Sequence, residues 1–226
     1  MKSASVLNKE LLTGQLASLG VAFINVSIKE IADPERTILE AARDFKDDRK
    51  LLSLILGWLA LYSDLIHVAR LKSMLKNCSA EELAWLGGLA SAVSQSDRRW
   101  SLIESYARKR IGRSSITIKT YDLDLLAAKR SGEDPHFHKF GLTIPKASPA
   151  LEKKFYSREH TIANHPWLRL RALFGANWRA DIAWQMLCDK KQTPYRVART
   201  VGCNIETAYR NWQSLLEADA SSALQV

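Results

Sequence analysis

The stretch TPYRVARTVGCNIETAYRNWQSLL, residues 193–216, decides how the C-terminal part of the chain folds. Thr193 is a favourable N-cap, and Pro194 suits the first position of a helix, where its missing N–H costs no hydrogen bond. Gly202 can adopt the left-handed conformation that ends a helix, and Asn204 can cap the next one. The stretch therefore predicts two short helices joined by a tight turn.

The apolar residues of this stretch repeat with the 3.6-residue period of helices that pack on one another. Ala198 and Ala208 are small enough for the two helices to approach closely where they cross. The other apolar positions are expected on the inward faces: Val197, Val201, Ile205, Trp212, Leu215 and Leu216. A helix pair of this kind is a helix-turn-helix.

The outer face of the second helix carries polar and planar side chains that can reach phosphates and base edges in a major groove. With these residues the stretch resembles the helix-turn-helix of bacterial transcriptional regulators, especially winged-helix ones. The resemblance extends back to WLRLRALFGANWRADIAWQML, residues 167–187, which is similar to the short helix, glycine break and long first helix of such domains. It implies that DNA is contacted by Thr193, Arg196, Arg199, Asn204, Glu206, Tyr209, Arg210 and Gln213.

A β-hairpin wing usually follows the second helix in that family. Only EADASSALQV, residues 217–226, follows Leu216, which is too short for two strands. We therefore expect either a wingless three-helix version or a chain that stops before its wing. A glycine-centred helix pair also occurs in many proteins that never touch DNA, so a protein–protein interaction module with a structural helix-turn-helix is the alternative.

The positive charge of the chain is concentrated beside and within this motif. The 226 residues carry a formal net charge of +9, which favours acidic partners. Residues 1–99 are nearly balanced, whereas residues 164–216 hold eight Lys and Arg against three Asp and Glu, and residues 101–155 have the same excess. We therefore predict double-stranded DNA as the partner, and a homodimer because one such module spans few base pairs.

Composition and the most apolar segment indicate a globular protein. Hydrophobic residues make up 46% of the chain and charged residues 25%. Residues 51–69 contain Asp64 and His67, and their uncharged part is shorter than the roughly 20 residues of a membrane-spanning helix. We predict a buried helix there, without membrane contact, and expect a neighbour to satisfy His67. The chain opens without a signal-peptide pattern and its cysteines are unpaired in spacing, so we expect a cytoplasmic location.

The rest of the chain reads as a mainly α-helical protein with one short interruption. Residues 115–120 and 137–144 alternate like two strands, with the loop SGEDP at residues 131–135 between them. The first part of the chain would hold a dimer interface or an effector pocket. The expected parts are a helical domain at 1–111, a small mixed α/β segment with a possible β-hairpin at 112–145, a linker at 146–165 and the helix-turn-helix domain at 166–226.

Two polar patterns suggest chemistry, and each has a simpler explanation. Asp122 and Asp124 have the spacing with which nucleotidyltransferases hold Mg²⁺ after a Gly-Ser loop, although Arg113 splits that Gly-Ser pair here. A solvent-facing pair at the start of a short helix is the commoner explanation, and a nucleotidyltransferase is the outsider. His136 and His138 share one face of a strand at this spacing, but no further ligand completes a metal site. We therefore expect neither an enzyme nor a cofactor.

Overall fold

The computed structural model describes residues 4–28, 30–112 and 122–218, and these residues are mainly helical, as expected. They contain two isolated β-bridges but no β-strand. Four 3₁₀ turns connect some of the helices, at Ser63–Leu65, Leu75–Asn77, Arg98–Trp100 and Glu152–Lys154. The α-helices are α1 (Ala4–Ser18), α2 (Pro34–Asp44), α3 (Arg49–Tyr62), α4 (Val68–Met74), α5 (Ala80–Val93), α6 (Ser101–Ile111), α7 (Asp122–Ser131), α8 (Pro135–His138), α9 (Arg158–Asn164), α10 (Pro166–Phe174), α11 (Trp178–Cys188), α12 (Pro194–Val201) and α13 (Ile205–Glu217).

Many of these helices begin where capping side chains stand in the sequence. The Asp33 carboxylate accepts the N–H of Arg36 at 3.1 Å, and Pro34 occupies the first position of α2. Ser79 and Glu82 form a reciprocal capping box at the start of α5. Each cap satisfies an N–H group that has no partner within its own helix, so the local sequence sets where the helix starts.

The apolar segment at residues 51–69 is two helices, not the single helix expected. The 3₁₀ turn at Ser63–Leu65 separates α3 from α4, and the chain bends by 120° between these two helices. Arg171 donates to the carbonyl that ends this turn at 3.0 Å, and the Glu35 carboxylate accepts the N–H of His67 at 2.9 Å. Distant side chains thus satisfy backbone groups that a continuous helix would have paired, which permits the break.

The middle of the larger core is formed by α3. Its side chains Leu52, Ile55, Trp58 and Leu59 are buried against other helices. Within the described ranges no single helix is long and apolar enough to cross a membrane, and α3 with α4 meets that criterion only as a bent pair.

Two clusters of buried apolar side chains organise the chain. The larger extends from Leu12 to Leu168 and includes α1 to α6 and α8. The smaller extends from Leu170 to Leu215 and is formed by α10 to α13. Because Leu168 and Leu170 both belong to α10, this helix contributes to both cores and connects them.

Residues 137–144 do not form the strand expected for them. Instead α8 begins at Pro135, and the carboxylate of its N-cap Asp134 accepts the N–H of His136 at 2.9 Å. Phe137 is then buried in the larger core. The prediction was wrong because the Asp-Pro pair was assigned to a loop, although the same pair starts α2.

Two further expectations concern the strand at residues 115–120 and the linker at residues 146–165. The other expected strand, residues 115–120, lies outside the described residues. The predicted linker, residues 146–165, contains α9 and packs on the larger core through Phe155. Ala150 also donates its N–H to the Ser53 carbonyl at 2.8 Å. In this structure the stretch is therefore part of the packed fold.

Candidate nucleic-acid interface

The turn between α12 and α13 has the local geometry that its sequence predicts. Thr193 caps α12 by accepting the N–H of Arg196 at 3.4 Å. Gly202 is left-handed, with φ = 86°, and ends α12. Asn204 caps α13 by accepting the N–H of Thr207 at 2.6 Å. The two helices and the turn therefore have the local architecture of a helix-turn-helix.

The contact between the two helices is formed by small side chains, as predicted. Ala198 and Ala208 are buried in it. Two other predictions were wrong, because Ile205 and Leu216 are each 53% exposed and do not face inward. α13 packs on both α12 and α11, and these two positions near its ends lie outside those contacts. The remaining buried positions are Val197, Val201 and Leu215.

The outer face of α13 carries a continuous polar stripe. Glu206, Tyr209, Arg210 and Gln213 are all solvent-exposed. They are spaced three or four residues apart or adjacent, so they share one side of the helix. The remaining residues expected to contact DNA are exposed as well: Thr193, Arg196, Arg199 and Asn204.

This surface carries positive charges that no acidic side chain of the described residues neutralises. Arg196 and Arg199 lie on α12, and Arg210 lies on α13. Lys190 and Lys191 are exposed just before α12. None of these five residues has a carboxylate partner among the described residues. The cations therefore remain available to an external anion.

Two of the predicted contact residues also hold the motif together. The side-chain oxygens of Thr193 and Asn204 are the acceptors of the two N-caps. Only the hydroxyl proton of Thr193 and the amide N–H groups of Asn204 are then left to donate to a phosphate. Both residues can serve as caps and as phosphate donors at once.

Behind this surface, a buried ionic network joins the motif to the N-terminal helices. Arg171 of α10 donates to Glu35 of α2, with the closest contact at 2.6 Å between Nη1 and Oε1. It also donates to Asp181 of α11, at 2.7 Å from Nη2 and 3.0 Å from Nε to Oδ1. All three side chains are fully buried. Ion pairs offset the cost of removing these charges from water, which makes the three residues interdependent.

A second arginine brings α4 to the turn of the helix-turn-helix. Arg70 donates to Asp33 at 2.7 Å and also pairs with Glu35. Its Nε donates to the carbonyl of Val201, the last residue of α12, at 3.3 Å. The Ser73 hydroxyl lies beside Gly202. An N-terminal helix therefore abuts the motif directly at its turn.

Asp181, on α11, has further partners besides Arg171. The Nδ1 atom of His67 lies 2.6 Å from Asp181 Oδ2, and Trp167 Nε1 donates to Oδ1 at 2.7 Å. The ring of Trp178 meets the imidazole of His67 edge-on, with centroids 4.3 Å apart. The prediction that a neighbour satisfies His67 is confirmed, and that neighbour lies 114 residues away.

Four members of the network, Arg171, Asp181, Arg70 and Asp33, have pKa values shifted towards their charged forms in spite of burial. Burial disfavours the charged form of Arg171, but the negative charge of Glu35 raises its pKa above the ordinary value. Burial also opposes ionisation of Asp181, but the charge of Arg171, the side chain of His67 and the charge of Arg70 together outweigh it, so the pKa of Asp181 is lowered. Burial opposes the charged forms of Arg70 and Asp33 as well. Their mutual hydrogen bond and opposite charges, together with the charge of Glu35 acting on Arg70, raise the pKa of Arg70 and lower that of Asp33.

Sequence reasoning missed this network, although a signal for it was present. Arg171 follows Trp167, Leu168 and Leu170 at the spacing of buried positions on one helix. Asp181 likewise stands inside the apolar run of α11. A charged residue at an inward position indicates a buried partner of opposite charge, because an unpaired buried charge is strongly unfavourable.

The two histidines considered as metal ligands do not face a common point. His136 Nδ1 lies 3.1 Å from the Ser91 hydroxyl, and His138 Nδ1 lies 2.7 Å from Glu133 Oε2. Their expected strand spacing was wrong because both belong to α8. Among the residues that the structure describes, no group of three His, Cys, Asp or Glu side chains could hold a metal ion.

The two aspartates considered for nucleotidyl transfer lie on a helix. Asp122 and Asp124 belong to the first turn of α7, where residues two positions apart lie on different faces. A strand would have presented both on one face, and that arrangement is contradicted. Their side chains, and all of Arg113 and Ser114, lie outside the described residues.

The chain was also compared with known proteins. No family model matches it, and neither a curated protein nor a solved structure matches it. What the surface of α12 and α13 can bind therefore has to be inferred from its own side chains and geometry.

Proposed function

We propose that α12 and α13 form a sequence-specific DNA-binding helix-turn-helix and that the protein is a transcriptional regulator. The observation that carries the proposal is the exposed stripe of Glu206, Tyr209, Arg210 and Gln213 on α13. Beside it lie arginines and lysines that have no acidic partner within the described part of the chain. The resemblance of residues 167–216 to the helix-turn-helix of bacterial regulators supports the same interpretation.

In this proposal α13 enters the major groove and reads base edges. The planar guanidinium of Arg210 can donate to O6 and N7 of one guanine. The amide of Gln213 matches N6 and N7 of adenine, and the Glu206 carboxylate can accept from N4 of cytosine. Ile205, exposed at the first position of the helix, suits contact with a thymine methyl group.

The cations of α12 and of the segment before it would contact the DNA backbone. Arg196 and Arg199 lie on α12, the helix before the recognition helix. In helix-turn-helix complexes this first helix crosses the DNA backbone. Lys190 and Lys191 extend the same positive surface. Neutralising phosphates releases condensed counterions, so these residues would supply affinity without sequence preference.

The buried network would hold the recognition helix in a fixed orientation relative to the N-terminal helices. Arg171 joins α2 and α11, and Arg70 joins α2 to the turn before α13. A single helix-turn-helix contacts few base pairs, so we expect a symmetric homodimer on a two-fold site. A dimer interface among the N-terminal helices would then set the spacing of the two recognition helices.

A binding titration with labelled random-sequence duplex DNA across a salt series tests the proposal. We expect binding at low salt whose logarithmic affinity falls linearly with the logarithm of salt concentration, by about 0.9 per phosphate neutralised. Selection from a random pool should then enrich one sequence. Absence of binding at low salt by the folded chain would contradict DNA recognition.

The alternative is a protein–protein interaction module whose helix-turn-helix is structural. Its supporting observation is the exposure of Tyr195, Ile205 and Leu216, each more than half accessible on α12 and α13. Exposed apolar side chains are common at protein interfaces. Under this alternative the duplex titration with the folded chain gives no binding even at low salt.

A further inference from the structure

A cleft on the larger core is lined by residues that belong neither to α12 nor to α13. It forms where α3, the turn after α1 and the 3₁₀ turn at Glu152–Lys154 meet, and its volume is about 460 Å³. Clefts of this size are typical of small-molecule sites. The apolar part of its lining is formed by Val21, Phe23, Leu54 and Leu151.

The walls of the cleft are held in place by backbone contacts. Ala22 donates its N–H to the Lys154 carbonyl at 2.8 Å, and Ala150 donates to the Ser53 carbonyl at 2.8 Å. Gly57 permits a close approach of the wall to α3, since a Cβ there would lie 2.8 Å from the Ala150 carbonyl oxygen. The cleft is therefore formed before any ligand binds.

The floor of the cleft is apolar, whereas its rim carries both apolar and positively charged side chains. Val21 is buried at the floor, whereas Leu151 is 65% exposed at the lip. Lys50 and Lys154 also line the cleft, both are exposed, and neither has an acidic partner among the described residues. Arg49 lines it too, but its guanidinium donates to the Phe45 carbonyl and lies over a tryptophan ring.

We propose that this cleft binds a small amphiphilic carboxylate. Its hydrocarbon chain would lie on Phe23, Leu54 and Leu151 and remove them from water. Its carboxylate would lie between the ammonium groups of Lys50 and Lys154, which no carboxylate in residues 4–28, 30–112 or 122–218 neutralises. The cleft is too small for a folded partner, and no acidic residue in its lining opposes an anion. This binding does not depend on recognition of DNA.

Calorimetric titration of the full chain with decanoate, below the concentration at which it aggregates, tests the proposal. We expect saturable binding with one site per chain. Decanol keeps the chain but lacks the charge, and acetate keeps the charge but lacks the chain. Each should bind at least about tenfold more weakly than decanoate, because each retains only one of the two interactions.

Variants then locate the site. Lys50→Gln combined with Lys154→Gln should weaken decanoate binding about tenfold. Lys153→Gln removes a neighbouring exposed charge outside the cleft and should leave it unchanged. Leu151→Ser should weaken binding of decanoate and decanol alike. Because Leu151 is exposed, the variant should keep the thermal unfolding midpoint of the wild type, which separates lost binding from lost folding.

Three results would overturn the proposal. One is the absence of saturable decanoate binding, and another is equal affinity for the double lysine variant and the Lys153→Gln control. The third is a dimer in sedimentation that Leu151→Ser dissociates, since the cleft would then be covered by a second copy of the chain.

Discussion

The guanidinium of Arg171 and the carboxylate of Glu35 form two hydrogen bonds, of 2.6 and 2.8 Å, with neither side chain exposed. The two residues are 136 positions apart, so this pair closes the chain between α2 and α10. Asp181 shares the same guanidinium. Removing the arginine would leave two buried carboxylates without the cation that they share.

Arg171→Met is therefore expected to destabilise the protein by about 3–5 kcal/mol, the usual loss when one member of a buried ion pair is removed. Urea unfolding followed by circular dichroism measures this. Arg108→Met is the matched control, because Arg108 is 62% exposed in its pair with Glu104 and its loss should cost less than about 1 kcal/mol. Equal losses for the two variants would mean that the network contributes no more than a surface pair.

His165 makes stability depend on pH between neutrality and weak acid. Its Nδ1 accepts the N–H of Leu168 at 3.2 Å, and its Nε2 lies 3.1 Å from the Ala32 carbonyl, so the neutral imidazole satisfies both. Burial lowers its pKa from 6.5 to about 4. Between those values the unfolded chain binds more protons than the folded chain. Stability should therefore fall as pH drops from 6.5 to 4, by up to about 3 kcal/mol.

His165→Asn isolates this contribution. Asparagine is a favourable N-cap and does not titrate, so the start of α10 is retained while the proton is lost. Urea unfolding at several pH values between 4 and 7 should show a smaller loss of stability in the variant than in the wild type. An unchanged pH dependence would assign the acid sensitivity to other groups.

The parts of the fold that the sequence predicted are those fixed by neighbouring residues. Thr193, Gly202 and Asn204 act within three or four residues, so their caps and turn could be recognised directly. The break between α3 and α4 could not, because it depends on Glu35 and Arg171, which are distant in the chain. Long-range pairing leaves no periodic pattern in the sequence.

The sequence predicted the exposed residues of the candidate surface, but it did not predict the buried contacts that hold this surface in place. The exposed residues of α13 follow from helical spacing once Asn204 fixes where the helix starts. Their support by Asp181, His67 and Arg70 is a three-dimensional contact that spacing does not reveal. The strand wrongly predicted at residues 137–144 had a local signal against it. The pair Asp134-Pro135 indicates a helix start, but the alternating pattern of residues 137–144 was given more weight.

Close packing of α12 on α13 makes Ala198 sensitive to added volume. Ala198 is 2% exposed, and Ala198→Leu should overpack the helix crossing and cost roughly 1–3 kcal/mol. Thermal unfolding of the full chain measures the change. Ala172→Leu places the same side chain on an exposed position of α10 and should have little effect. A midpoint equal to that of the control would contradict the close helix contact.

Base readout and backbone contact by the proposed DNA surface can be separated with two arginines. Arg210 is exposed on the stripe of α13, whereas Arg196 is exposed on α12. Arg210→Ala should cost about 1–3 kcal/mol on the preferred site and much less on random duplex, because a bidentate contact to guanine is lost. Arg196→Ala should weaken both about equally and reduce the salt slope by about one unit. Anisotropy titrations on both DNAs measure these effects.

The comparison of the two DNAs decides the role of Arg210. Both variants replace one exposed arginine without an acidic partner in the described structure, so differences in folding or in total charge do not separate them. Equal losses on the preferred and random duplex for Arg210→Ala would make Arg210 a phosphate contact, and the reading of guanine would be wrong. No loss on either DNA, with Arg196→Ala still weakening both, would mean that α13 does not enter the groove.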